Sequence, residues 1–318
     1  MAERVFASFS DVTASPTVAT IGAFDGVHRG HQHLLRLARE GAKEHESRLL
    51  VLTFEPLPIQ VLRPETFAGR VLTKERRRGL LFRYGADLVV ELPFTLEMSR
   101  MCAEEFVAQL FAVGPVRQIW VGSDFALGHK RSGTPARLAE IAAPSGTTVR
   151  AVPRVDYKGQ EVSSTRIRNL ILQGRPDDAS FILGHRFQVR GEVVRGAQVG
   201  RTIGFPTANV VPPEDLVPLQ DGIYATFARI LDNDAIFEAM TYIGTRPAVN
   251  TGDRMIETHL FGFDGDLYGR TLETEFVRRL RPDANFRSVD ALKAQLARDE
   301  EHAREVLTSR RPGEVEDS

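Results

Sequence analysis

"TVATIGAFDGVHRGH", residues 17–31, carries three successive structural signals. Residues 17–24 form a short apolar run of the kind that makes a buried strand. Gly22, Gly26 and Gly30 then crowd a turn, and a helical pattern follows from His31 to Glu46. Strand, glycine turn and helix together open a βα unit. The same grammar continues with apolar runs at 48–54, 87–92, 118–122 and 147–152, and helical patterns at Lys74–Tyr84, Ala103–Val113 and Pro135–Ala143. Strands alternating with helices at this spacing predict a Rossmann-like parallel sheet covered on both faces. Ligands of such sheets bind at the carboxyl ends of strands, where strand order reverses, and the glycine turn is expected there.

The grammar changes near residue 184. "FQVRGEVV" (187–194) alternates, with Phe187, Val189 and Val193 on one face and Gln188, Arg190 and Glu192 on the other. Further strand-like runs at 222–230, 236–244, 255–263 and 271–280 are separated by turn residues and no helix, which predicts a small antiparallel barrel or sandwich. Ser288 is positioned to cap a closing helix whose apolar positions Val289, Leu292 and Leu296 recur at helical spacing. The expected division is therefore 1–184, 185–308 and a polar tail, 309–318, that frays.

The 318 residues suffice for two domains, and a net charge of −1 gives no global basic footprint for nucleic acid. The runs "KERRR" (74–78) and "RRLRP" (278–282) read as solvated element faces rather than binding patches. Cys102 is the only cysteine, which excludes an internal disulfide and a cysteine-rich zinc site, and beside Met101 it reads as core filler. No signal-like start and no membrane-spanning apolar run are present, so a cytoplasmic protein without a membrane partner is expected. Nothing in the sequence sets an oligomeric state.

His28 and His31 admit several chemistries. Zinc needs a third ligand, and His33 points elsewhere on a helix; a hydrolase nucleophile needs an elbow motif that is missing. A purely structural reading makes His28 a turn residue and His31 a helix cap. Phosphate handling suits the setting better, because a glycine turn before a helix N-terminus lets backbone amides and imidazoles meet phosphate oxygens. That reading requires a second phosphate grip. "VSSTRIR" (162–168) supplies one, with Ser163, Ser164 and Thr165 at a helix start and Arg166 and Arg168 behind them. In the second half, "GRTIGFPTAN" (200–209) places Thr207 and Asn209 two apart in an extended segment. A hydroxyl and an amide oxygen on one side could complete the shell of a magnesium ion, with Gly200–Gly204 as a flap over phosphates. Glu257, on a strand facing that loop, is either a solvent-facing residue or the acceptor of a substrate hydroxyl proton.

"TIGAFDGVHRGHQ" with "VSSTRIR", joined by "TFEPLP" (53–58), "AEEFV" (103–107) and "VGSDFALGHKRSG" (121–133), resembles the adenylyltransferase half of bacterial bifunctional riboflavin kinase/FAD synthetases. "GRTIGFPTAN", "DGIYA" (221–225), "IGTRPAVN" (243–250), "ETHLFGFDGDLYG" (257–269) and "FVRRLRP" (276–282) resemble the riboflavin kinase module of the same family. The resemblance implies a six-stranded barrel with a C-terminal helix. It implies ATP and Mg²⁺, or another divalent cation, for phosphorylation of riboflavin to FMN, and a second ATP for conversion of FMN to FAD and pyrophosphate. By resemblance, Glu257 is the catalytic base, and Thr207 and Asn209 are metal- and phosphate-binding. Gly200, Arg201 and Gly204 belong to the kinase loop, and His28 and His31 stabilise the adenylylation transition state. Gly22, Phe24, Asp124, Ser164, Thr165 and Arg168 contact its substrates. The sequence departs from the family at Leu57, where histidine is common, at Asp124, where asparagine is also found, and at Ala126, where arginine is common. Two alternatives stay open: a riboflavin kinase with weak FAD synthesis, and a flavin-binding carrier without turnover.

Overall fold

The computed structural model describes residues 4–12, 15–196, 198–245 and 254–315. The end of "IGTRPAVN", from residue 246, lies outside them. The chain packs as two compact units. One runs to Phe67 and takes up Thr73–Ser163; the other joins Ala68–Leu72 to the chain from Ser164 onward.

The first unit contains β1 (Val5–Phe6), β2 (Thr17–Ile21), α1 (Arg29–Glu44), β3 (Arg48–Glu55), α2 (Pro58–Leu62), α3 (Lys74–Arg83), β4 (Leu88–Pro93), α4 (Ala103–Phe111), β5 (Val116–Gly122), α5 (Pro135–Ala142), β6 (Thr148–Val152) and a hairpin, β7 (Asp156–Tyr157) and β8 (Gln160–Glu161). Its six-stranded sheet is parallel, in the order β1-β4-β3-β2-β5-β6. Strand order reverses between β2 and β5, so the crevice of the sheet opens beyond Ile21 and Gly122. The central strands β2 and β3 are buried almost throughout because both faces are covered, whereas the edge strand β6 is largely exposed. Ile21, Leu52, Val90 and Val121 meet Phe106 and Leu110 of α4, and α1 buries Leu34, Leu35, Ala38 and Ala42.

Two boundary expectations shift. The first strand ends at Ile21, and the first helix begins at Arg29 rather than His31, because His28 caps it. Cys102 is not core filler: its Sγ accepts from Glu105 N at 3.4 Å and Glu105 reciprocates on Cys102 N, a capping box that starts α4.

The second unit holds α6 (Ser164–Leu172), α7 (Pro176–Leu183), β9 (Gln188–Val194), α8 (Val199–Thr202), β10 (Ala208–Val210), β11 (Gly222–Ile230), β12 (Ala235–Thr245), β13 (Arg254–Leu260), β14 (Thr271–Arg281) and α9 (Val289–Thr308). The strands close a barrel in the order β10-β13-β12-β11-β14-β9, antiparallel throughout. Inside, hydroxyls satisfy one another: Thr226 meets Thr241 at 2.8 Å, and Thr241 meets Thr258 at 3.1 Å. Outside, α9 lays Ala303, Val306 and Leu307 on Ala225, Phe227, Met240 and Val277.

Here too the pattern needs amendment. Gln188 faces away from Val189 yet is buried, its amide donating to Glu273 at 2.6 Å. Ser288 does cap α9, accepting from Ala291 N, but Val289 is 62% exposed and the buried stripe begins only at Leu296. The stretch from 309 to 315 makes hydrogen bonds to the barrel unit. Gly313 N donates to Glu275 at 2.9 Å, and Arg186 reaches the Arg311 carbonyl at 3.4 Å. The basic runs are not simply solvated. Arg77 is 1% exposed, and Arg281 binds Asp299 through Nε and Nη2.

Candidate active sites

At the carboxyl end of β2 the chain turns through Gly22–Val27 before α1. Phe24 takes φ +49 and Val27 φ +38, a region that side chains with Cβ, and β-branched ones above all, enter at a cost. The turn brings two imidazoles together: the rings of His28 and His31 stack with centroids 3.6 Å apart and planes 13° apart. Phe24 lies 5.1 Å from the His31 ring. His28 is the N-cap of α1, its Nδ1 accepting from His31 N at 3.3 Å. An accepting Nδ1 leaves Nε2 as the hydrogen-bond donor of the His28 ring. Burial, and secondarily His28, hold the His31 imidazole well below its ordinary value. Its Nδ1 is buried without a hydrogen-bond partner. The two rings are thus packed face to face, and burial favours the neutral form of His31. Gly30 permits this, because a Cβ there would stand 3.3 Å from the His28 ring.

On the barrel, register builds a second constellation. Ala208 pairs with Thr258, whose hydroxyl lies in the buried threonine chain; the neighbours Thr207, Asn209 and Glu257 therefore face outward. Asn209 is the direct ladder partner of Glu257, placing their Cβ atoms about 4.5–5.5 Å apart. Asn209 Nδ2 donates to the Thr207 carbonyl at 3.2 Å, and Gly196 packs so closely that a Cβ would lie 2.6 Å from the Asn209 amide. Hydroxyl, amide and carboxylate oxygens form a hard donor set that suits Mg²⁺. Among the described residues, no cluster of three His, Cys, Asp or Glu side chains forms a self-sufficient metal cage. Gly200–Gly204 is a closed helical turn rather than an open loop: Phe205 N bonds Gly200 O at 2.8 Å, and Gly204 takes φ +90. Beside it a cleft of about 420 Å³ is lined by Gln198, Arg201, Thr207, Asp264, Asp266 and Tyr268.

Residues 11–166 match the family model of FAD synthetase, and residues 183–307 that of riboflavin kinase. The bifunctional riboflavin kinase/FMN adenylyltransferase of Escherichia coli K12 is 33% identical over 296 residues, covering 93% of this chain and 94% of its own. That of Pseudomonas fluorescens is 38% identical over 289 residues, covering 90% and 92%. The chain belongs to the bifunctional riboflavin kinase/FMN adenylyltransferase family. A solved structure from Streptococcus pneumoniae, named a macrolide-efflux protein, is similar at TM-score 0.87 and 31% identity, covering 96% of this chain and 99% of its own. No helix among the described residues of this family member is long and apolar enough to cross a membrane.

The remaining expected residues are placed as follows. Asp124 follows β5 and pairs with Arg154 at 2.7 Å; Arg154 also holds Glu161 at 2.9 Å. The position where the family also has asparagine thus presents an ion pair rather than a bare carboxylate. Ser164 and Thr165 open α6, and Arg168 is buried with its Nε on the Gly69 carbonyl at 2.8 Å. All three lie in the second compact unit, whereas the histidines lie in the first. Three residues that contact these segments escaped the sequence. Arg154 gave no signal. His259 stands inside the quoted "ETHLFG", and its Nδ1–H donates to the Pro206 carbonyl at 2.7 Å while Phe205 meets its ring edge-on. Arg77 lay hidden in a charge run.

Proposed function

We propose that this chain makes FAD from riboflavin in two steps, phosphorylation to FMN on the barrel and adenylylation of FMN by the nucleotidyltransferase module. Glu257 accepts the proton of the terminal ribityl hydroxyl as that oxygen attacks the γ-phosphorus of ATP, the bond from that phosphorus to the β,γ-bridging oxygen breaks, and ADP leaves. Thr207 and Asn209 hold Mg²⁺ and the nucleotide phosphates; the bound cation neutralises charge on those phosphates. The Gly200–Gly204 turn, with Arg201, covers the phosphates, and the cleft beside Thr207 takes the nucleotide. His259 anchors this segment through Pro206.

In the second step an FMN phosphate oxygen attacks the α-phosphorus of ATP and pyrophosphate leaves, so no protein nucleophile is needed. His28 and His31 donate hydrogen bonds to the phosphates as charge builds. Ser164, Thr165 and Arg168 hold the triphosphate, which keeps the functional division at 184–185 although α6 packs with the barrel unit. Gly22 and Phe24 line the approach, and Asp124, neutralised by Arg154, borders it. We place the protein in the cytoplasm, with small-molecule substrates and neither nucleic-acid nor membrane partners.

The observation that carries this reading is the pairing of Asn209 with Glu257 on the barrel, in a chain that also stacks His28 on His31 at the switch point of a parallel sheet. Purified protein with riboflavin, ATP and Mg²⁺, followed by timed chromatography, should show FMN first and then FAD. Glu257→Ala should stop FMN formation and leave FAD synthesis from supplied FMN. His31→Ala should do the reverse, lowering adenylylation about 10²–10³-fold. Loss of both activities from either change would contradict two independent sites.

A further inference from the structure

Arg77, on α3, has the bulkiest side chain among those fully buried in the described structure. A buried guanidinium costs several kcal/mol unless its donors are satisfied, so its partners say what it is for. Nη2 reaches Glu55 at 2.8 Å and Glu91 at 3.0 Å. Glu91 is shared with Arg78 and Lys74, so Arg77 sits in a mixed cluster of three cations and two carboxylates. Nη1 meets neutral acceptors, the Phe54 carbonyl at 3.1 Å and the Ala23 carbonyl at 3.4 Å, while Nε is buried without a hydrogen-bond partner. The four acceptors lie in or beyond the carboxyl-terminal halves of three adjacent strands, β2, β3 and β4. Ala23 O also accepts from Thr53 Oγ1 at 3.1 Å, so two donors converge on one carbonyl at the edge of the histidine site.

That carbonyl belongs to the peptide whose nitrogen is Phe24 N, and rotation about the next bond is the φ of Phe24, held at +49. A bulky residue stays in this region only where its surroundings over-determine it. Fixing the plane of the Ala23–Phe24 peptide does so, and it aims the Phe24 ring at His31. We infer that Arg77 is a positioning residue for adenylyl transfer: with Thr53, it sets the Ala23 carbonyl, through it Phe24, and through Phe24 the His28–His31 stack. This inference rests on the assignment of those histidines to adenylylation.

The test uses the full chain, with Arg77→Lys and Thr53→Val made alone and in a His31→Ala background. FMN adenylylation from supplied FMN and ATP is measured, with riboflavin phosphorylation by the same molecules as the control. Arg77→Lys should lower the adenylylation kcat about tenfold or more, since small displacements of reacting groups are costly. KM for FMN and ATP should stay within about threefold, and kinase activity within about twofold. Thr53→Val should act in the same direction and less. In the His31→Ala background, either change should add less than about twofold, because residues acting in series are not additive. A wild-type kcat in Arg77→Lys, or a full additional loss on top of His31→Ala, would overturn the inference and leave the site assignment standing. Unimpaired adenylylation by His31→Ala would overturn both. If Arg77→Lys fails to fold, Thr53→Val decides by the same criteria.

Discussion

Gly30→Ala isolates the imidazole stack from the stability of the helix that carries it. Gly30 is the second residue of α1, and a Cβ there would lie 3.3 Å from both Cε1 and Nδ1 of His28 and 3.6 Å from Val162. Carbon contacts are comfortable at about 3.5–4.0 Å, so the His28 ring must give way by a few tenths of an ångström. It has no slack: its hydrogen bond to His31 N already spans 3.3 Å and its ring stacks at 3.6 Å. Two stability effects then oppose each other. Alanine favours the helix by up to about 1 kcal/mol over glycine, and a weakened N-cap costs about 1 kcal/mol. They nearly cancel, and the melting temperature should move by no more than about 4 °C. Adenylylation should not be spared. Displacing one of two phosphate donors should cost about 10–10²-fold in kcat, somewhat less than deleting it. The assay is FAD formation from FMN, with riboflavin phosphorylation as internal control. Undiminished FAD formation in a normally folded Gly30→Ala protein would refute the claim that the stack geometry serves catalysis. An equal fall in both activities would show a general defect instead.

Three further outcomes follow from the barrel unit. Gly200→Ala places a Cβ 2.3 Å from the Phe205 carbonyl, against backbone, so the Gly200–Gly204 turn must open; on the proposed role of that turn, kinase activity should fall more than about tenfold while FAD synthesis from FMN persists. Burial pushes the Tyr224 hydroxyl up to about 12, against the opposing pull of Arg279 and Arg254. Between pH 10 and that value the unfolded chain releases a proton that the folded chain retains, so stability falls as pH rises, by roughly 2–3 kcal/mol. A urea titration across that range checks this, and Tyr224→Phe should flatten the slope. Asp299→Asn breaks the buried pair with Arg281, which should cost about 3–5 kcal/mol and lower the melting of the barrel unit while adenylylation at 25 °C is retained.

The sequence made visible whatever depends on near neighbours along the chain. Apolar runs of strand length, glycines between strand and helix, and Ser288 before the last helix reflect contacts within a few residues, so α/β order, barrel and closing helix could all be read. The motif residues were legible for the same reason, because His28 and His31 lie within one turn of each other and Thr207 and Asn209 within one strand. Cys102 failed because sulfur beside methionine looks apolar until the Glu105 amide is placed over it.

What tertiary structure alone decided is who faces whom across long stretches of chain. Glu257 stands opposite Asn209 because β10 and β13 pair in one register, and a slip of one residue would turn it into the barrel. Ala68–Leu72 leaves the first half to join the second unit, where Arg70 binds Asp215 at 3.0 Å. Arg154 neutralises Asp124 from the neighbouring strand end. Arg77 changed most: in the sequence it is one charge in a run of five, and its meaning comes from Ala23, Phe54, Glu55 and Glu91, which only the strand order β4-β3-β2 gathers around it. Periodicity records which way a side chain points; the partner it meets there is fixed by topology and register, which one chain's local pattern does not contain.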